Sequence, residues 1–167
     1  MRVRPEAPRD AAAVRRVTEA AFGQPDEADL VDRLRRRGAG YLALVAEDDG
    51  AMVGHVAFSA VTFSPPRPGL SAVGLAPMAV APDRQRRGVG TALVRAGLAA
   101  CRDAGVEAVF VLGHPDYYPR FGFAPAVGFG IRDAYGAPPQ AFMALELTPG
   151  ALAEVSGTAL YDPALAG

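Results

Sequence analysis

The sequence predicts an α/β (α+β) fold: a mixed, largely antiparallel sheet with one central parallel strand pair and helices on both faces. Residues 75–112 read strand–helix–strand, which implies a parallel pair joined by a right-handed crossover. Apolar runs before and after it are joined by short turns, which implies antiparallel neighbours. Between these runs lie stretches with apolar residues at helical spacing.

Residues 1–5 alternate apolar and polar and start a sheet. Asp10 opens a helix that runs to Phe22, with Ala11, Val14, Val17, Ala21 and Phe22 on its inward face. After Gly23-Gln24-Pro25 a second helix spans 26–37, facing in with Leu30, Val31 and Leu34, and Gly38 stops it. Its basic end, Arg33 with Arg35, Arg36 and Arg37, reads as a solvated face that suits the helix dipole. Residues 41–47 are a strand, Asp48-Asp49-Gly50 a hairpin turn, and 52–63 a long second arm. The loop 64–69 carries three prolines. A strand at 71–80 is interrupted by Pro77, and the best helix follows over 85–104, closed by Gly105. Residues 109–112 form a short, wholly apolar strand. One helical turn is expected over 116–120, a strand after Phe121-Gly122-Phe123, a Gly/Pro-rich connection over 128–139, and a last strand over 142–147. The tail from Thr148 is weakly patterned.

The length of 167 residues fits a single domain, 1–167. A net charge of −1 supplies no drive toward nucleic acid or an anionic membrane. All the basic residues are arginine, which excludes a Walker A lysine and any Schiff-base chemistry. One cysteine and two histidines are too few for a structural zinc site, so no metal is expected. Cys101 sits among alanines and reads as helix packing. No apolar run is long enough to span a membrane and no signal core follows Met1, so a cytoplasmic location is expected.

The chemistry concentrates in residues 78–93, where a strand ends, the chain turns, and a helix opens with two glycines and three arginines. Helix N-termini present unpaired N–H groups and partial positive charge, and glycine lets a phosphate approach the backbone. Residues 86–91 therefore form a candidate pyrophosphate cradle. Leu93 stands where a dinucleotide fingerprint needs its third glycine. A glycine-rich helix start that merely packs closely on a strand would look the same.

Gln85-x-x-Gly88-x-Gly90, after an apolar strand and Pro82-Asp83, resembles motif A of the GCN5-related N-acetyltransferases (GNAT). Tyr117-Tyr118-Pro119-Arg120-Phe121-Gly122-Phe123 is similar to the family's second marker, a Tyr followed by Gly-Phe. The run from Gly113 to Tyr118 resembles the YhbS-like subgroup. The resemblance implies a GNAT-like sheet whose parallel pair splays apart, and acetyl-CoA as cosubstrate without metal. It implies that the backbone of Met78, Ala79 and Val80 pairs with the pantetheine arm. Gln85, Arg86, Arg87, Gly88, Val89, Gly90 and Thr91 would hold the pyrophosphate, and Arg84 also flanks the cradle. Tyr118 would be the general acid, with Tyr117 its confusable neighbour and an aromatic packing role the bland alternative.

Residues 71–80 hold no carboxylate where many relatives carry a glutamate base. The base is then a water chain, His55, or a group on another strand. His55 beside Gly54 also reads as a hydrogen-bonded strand residue. His114 stands where the subgroup usually has an acidic residue, and with Pro115 it equally completes a turn. The function implied is direct acetyl transfer from acetyl-CoA to a primary amine of a small molecule or peptide. The alternatives are a non-catalytic acyl-CoA sensor and a nucleotide-binding protein. A homodimer through the C-terminal strand and tail is compatible with the sequence.

Overall fold

In the computed structural model, which describes residues 1–166, the elements follow in the order β1 (Arg2–Pro5), α1 (Ala11–Phe22), α2 (Asp26–Arg37), β2 (Leu42–Asp48), β3 (Ala51–Ala60), β4 (Thr62–Ser64), β5 (Ala72–Val80), α3 (Val89–Asp103), β6 (Ala108–Leu112), β7 (Ala124–Pro125), β8 (Ile131–Asp133), β9 (Phe142–Glu146), β10 (Gly157–Leu160) and α4 (Pro163–Ala166). Seven strands pair in the order β1-β2-β3-β5-β6-β9-β7, and three in the order β4-β10-β8. The chain divides into two compact units, Met1–Phe58 with Ala76–Ala100, and Ser59–Leu75 with Cys101–Gly167.

In the first unit β1 pairs antiparallel with β2, and β2 with β3. Asp49 (φ 50°) and Gly50 (φ 77°) are both left-handed, as a two-residue hairpin turn requires. Val14, Val31 and Val45 form a buried cluster with Met52 packed on it. Thr18 is buried on the same helix because its hydroxyl donates to the Val14 carbonyl at 2.7 Å. Phe22, expected inward, is 42% exposed at the last residue of α1. Asp10 makes no side-chain cap to α1. Its carboxylate accepts from the Ala7 N–H at 2.7 Å and takes both nitrogens of the Arg4 fork at 2.8 and 2.9 Å. Arg35 departs from the solvated face expected of it, because it pairs with Glu6 and Asp32 at 2.8 and 2.9 Å.

In the second unit β5 and β6 are parallel, in register from Ala72↔Ala108 to Leu75↔Val111. The ladder ends there, although β5 continues to Val80. Pro77 lies within β5 without ending it; proline's fixed φ suits extended chain and only removes one donor. β6 pairs antiparallel with β9, and β9 with β7. Phe110 stands at the centre of the core, stacked on Phe142 and edge-on to Phe63, both at 5.7 Å.

Several elements differ from the sequence reading. The long arm 52–63 is two strands, β3 and β4, which join different sheets. The connection 128–139 contains β8, and the tail contains β10. These strands are only three and four residues long, too short to show a period. β10 is the middle strand of its sheet, so both its edges are occupied within the chain. No helix of the described residues is long and apolar enough to cross a membrane.

Candidate active site

In the first unit, the end of β5, the turn 81–88 and the start of α3 lie in succession. The sequence suggests a helix from Gln85, but residues 85–88 are a turn and α3 begins at Val89. Arg86 (φ 63°) and Gly88 (φ 85°) are both left-handed, which a right-handed helix cannot accommodate. Left-handed residues near a helix start tilt successive N–H groups toward one side, a geometry that suits an anion. The first intrahelical bond runs from the Ala92 N–H to the Gly88 carbonyl at 3.0 Å, so the N–H groups of Val89 and Gly90 precede the ladder. A Cβ added at Gly88 would meet nothing within 4 Å. Residues 85–88 are all exposed. Together these features fit a pyrophosphate.

The side chains around the turn divide into two groups. Arg84 is anchored to Asp48 at 2.5 Å. Among the described residues no partner engages the side chains of Arg86 and Arg87, and both are exposed. Gln85 donates to the Val80 carbonyl at 3.2 Å and so ties the turn to the strand.

The Ala81 N–H bonds the Val53 carbonyl on β3 at 2.8 Å. Successive residues of a strand turn their backbone groups to opposite edges. Ala79 therefore faces β3 like Ala81, and Met78 and Val80 turn theirs to the other edge. The Val80 N–H and the Met78 N–H and C=O lie along that edge, a template onto which an extended chain with amide groups can add. Gly54 sets the seat of α3: a Cβ there would lie 2.9 Å from Leu93 and 3.0 Å from Val89. The glycine inside a strand was the sequence signal for such close approach.

His55 is fully buried and its Nε2 lies 3.0 Å from Glu6 Oε1. Glu6 also accepts from Arg35 at 2.8 Å and from the Tyr41 hydroxyl at 3.0 Å. Burial alone would raise the Glu6 carboxyl, but the His55 and Arg35 hydrogen bonds outweigh it and bring it to about 2. Nothing local in the sequence ties Glu6 to His55, 49 positions away. His55 Nδ1 is buried without a partner.

In the second unit, residues 114–122 fold into a turn. The His114 carbonyl accepts from the N–H groups of Tyr117 and Tyr118 at 3.1 and 3.4 Å, while His114 itself is exposed. Arg120 covers the Tyr117 ring at 4.4 Å and donates to its carbonyl at 2.8 Å. Tyr118 is 8% exposed, with its ring edge-on to Tyr117 at 5.1 Å and Phe123 at 5.7 Å. Its hydroxyl makes no hydrogen bond within the described chain, yet it is not among the fully buried unpartnered atoms, so it reaches open space. Burial, with Tyr117 adding to it, pushes the phenol up to about 12. It is therefore a protonated donor at neutral pH. Cys101 is fully buried and its thiol is pushed up to about 12 by burial, as expected of a packing residue. Among the described residues no group of three or more His, Cys, Asp or Glu side chains is placed to hold a metal.

The acetyltransferase (GNAT) domain family matches residues 2–126. An Escherichia coli (strain K12) protein described as the uncharacterized N-acetyltransferase YhbS is 39% identical over 164 residues, covering 96% of each chain. The crystal structure of E. coli YhbS in complex with CoA superposes with a TM-score of 0.92 at 35% identity, over 99% of this chain and 92% of that one. A GNAT-family acetyltransferase from Brucella melitensis, solved in complex with acetyl-CoA, gives 0.80 at 39% identity over 98% and 97% of the two chains.

Proposed function

The chain belongs to the GNAT family and is an acetyl-CoA-dependent N-acetyltransferase, and from that premise we propose that it transfers acetyl directly to a primary amine of a small molecule or peptide in the cytoplasm. The 167 residues act as one acetyltransferase domain. The observation that carries this reading is the exposed turn 85–88, with left-handed Arg86 and Gly88 immediately before α3. The YhbS and Brucella complexes with CoA and acetyl-CoA support the choice of ligand.

Acetyl-CoA supplies an activated acetyl thioester. The backbone of Gln85, Arg86, Arg87, Gly88, Val89, Gly90 and Thr91 holds the pyrophosphate, with the free guanidinium groups of Arg86 and Arg87 adding charge-assisted contacts. Met78, Ala79 and Val80 align the pantetheine arm, chiefly through the backbone groups of Met78 and Val80. The Val80 N–H donates to the acetyl carbonyl oxygen as it takes up negative charge. The amine nitrogen forms the new C–N bond, the C–S bond breaks, and Tyr118 gives its proton to the departing sulfur. The net change converts R–NH3+ and acetyl-CoA into the acetamide, CoA thiol and one proton. Tyr118 recovers its proton from solvent.

No carboxylate on β5 accepts the amine's proton. His114, exposed at the turn that carries Tyr118, is a candidate to relay it to water. His55 acts through the Glu6 contact that positions it, in the interior of the first unit.

Thermal unfolding in the presence of acetyl-CoA, with NAD and ATP as controls, tests the donor. Ligand at ~100 times its dissociation constant adds ~2.7 kcal/mol, a shift of several degrees for a chain of this size. The expected result is a shift specific to acetyl-CoA and CoA. Equal shifts with ATP or NAD would remove the assignment of the turn 85–88 to the acetyl-CoA pyrophosphate. Thiol release across a panel of amines then tests transfer.

A further inference from the structure

The turn that carries Tyr118 occupies one face of the β6–β9 pair. A Cβ on Gly113 would meet the Tyr118 ring, and one on Gly122, later in the same turn, would lie 3.1 Å from Leu145. Leu145 pairs with Val109, so Val109 and Val111 share its face. Gly113 continues that alternation, since its N–H still pairs across to the Ala141 carbonyl at 3.0 Å. Leu112 points the other way. It lies opposite Phe142 and is 49% exposed, at the end of a strand whose other four residues are buried.

Phe142 is also a wall of a hollow of about 180 Å³, with Val127, Ile131, Ala137 and Pro139 as further apolar walls. Val127 is 59% exposed. Tyr135, exposed as well, stacks on Tyr161 at 5.9 Å, and Tyr161 is edge-on to Phe142 at 6.2 Å. Three exposed apolar side chains are thus gathered about one buried ring. Single exposed apolar residues are ordinary, whereas a group of them beside a hollow marks a binding surface. Arg132 and Asp133 complete the lining. The Asp133 carboxylate is committed to the chain, because Oδ2 accepts the Ala137 N–H at 2.7 Å and Oδ1 is closed to solvent. Arg132 is exposed and leaves the rim cationic.

We propose that Leu112, Val127 and the hollow walled by Phe142 form the acceptor subsite, which selects a monoamine with an apolar body of about six to eight carbons. In direct transfer the attacking nitrogen and the departing sulfur occupy different corners about the carbonyl carbon. The turn of Tyr118 fills the Gly113 face, which leaves the Leu112 face to the amine. The hollow holds the apolar body, and the nitrogen stays free at the Leu112 end, one residue from the seat of Tyr118. The size follows from the volume, since a cavity of ~150 Å³ takes up benzene. Arg132 repels a second ammonium at the far end. The subsite role rests on the acetyltransferase reading above; the binding of an apolar body in the hollow does not.

The straight-chain amines from butylamine to octylamine have equally basic nitrogens and differ only in apolar length. Thiol release at saturating acetyl-CoA should show kcat/KM rising about 3- to 4-fold per methylene until the hollow is full. Hexylamine should exceed 1,6-diaminohexane at least ~10-fold. Val127→Trp, at an exposed position, should cut octylamine at least ~10-fold more than butylamine, and Leu112→Ser should lower the gain per methylene. Ligand-observed NMR of octylamine with the full chain reads binding without turnover, and thermal shift reads acetyl-CoA separately. No gain with chain length, equal rates for hexylamine and the diamine, or an unchanged length dependence in Val127→Trp each overturns the assignment. So does a dimer that Val127→Trp converts to monomer while the amine series stays as it was, which would make this face an interface between copies. An acetyl-CoA response without octylamine binding sinks the subsite alone. Octylamine binding that Val127→Trp abolishes, in protein with no acetyl-CoA response, leaves the hollow assigned and sinks the acetyltransferase reading instead.

Discussion

Gly113 lies directly against the ring of Tyr118: a Cβ placed on Gly113 would stand 2.4 Å from Cε2 and 2.8 Å from Cδ2. No real side chain tolerates that approach, so the glycine is what allows the phenol its position. Phe123 and Tyr117 hold the ring from its edges. The placement of the proposed acid is therefore written at Gly113, the residue that follows β6, as much as at Tyr118 itself.

Gly113→Ala is expected to lower kcat at least ~10-fold through displacement of the ring, while acetyl-CoA still binds. The same change made in a Tyr118→Phe background should cost no further turnover, since residues that act through one group are not additive. A full additional loss in the double variant would separate Gly113 from the function of Tyr118.

Tyr118→Phe keeps the ring and its packing and removes only the hydroxyl. Turnover should fall ~100-fold or more with little change in the KM for acetyl-CoA or in Tm. The phenol, held at about 12 by burial, stays protonated through pH 10. The wild-type rate should thus show no alkaline loss from this group below about pH 11, as a kcat profile against pH would read.

Gly88 and Arg86 predict opposite signs. Gly88→Ala puts a side chain on a left-handed residue (φ 85°) with open space around it, so its cost is backbone strain alone, ~1–2 kcal/mol. Arg86→Gly relieves a left-handed non-glycine residue (φ 63°) and should leave stability unchanged or up to ~1 kcal/mol higher. Both should weaken acetyl-CoA binding. Urea unfolding paired with a donor titration reads the two effects separately.

Glu6 predicts a pH dependence. Its folded carboxyl lies at about 2 against an ordinary 4.5, so its stabilising contribution is complete above pH 4.5 and fades as pH falls toward 2. That gap corresponds to at most roughly 3 kcal/mol. Glu6→Gln should be destabilised at pH 6, where Arg35 and His55 lose their charged partner, and the difference from wild type should shrink at pH 3. A constant difference across that range would assign the effect to packing.

Local signals carried most of the regular elements. Asp26 and Gly38 bracket α2, Asp49-Gly50 closes a hairpin, and Gly105 ends α3, because turn and cap chemistry depends on only a few adjacent residues. The glycine-arginine run and the Tyr-x-x-x-Gly-Phe spacing likewise marked the cradle and the proposed acid within short stretches. What the chain brings together from afar was illegible: Glu6 on His55, and β10 laid between β4 and β8. So was the start of α3, where helical periodicity ran on through Gln85 to Gly88 while Arg86 and Gly88 turned left-handed. Burial and pairing are properties of segments that meet in space, and no window along the chain contains both partners.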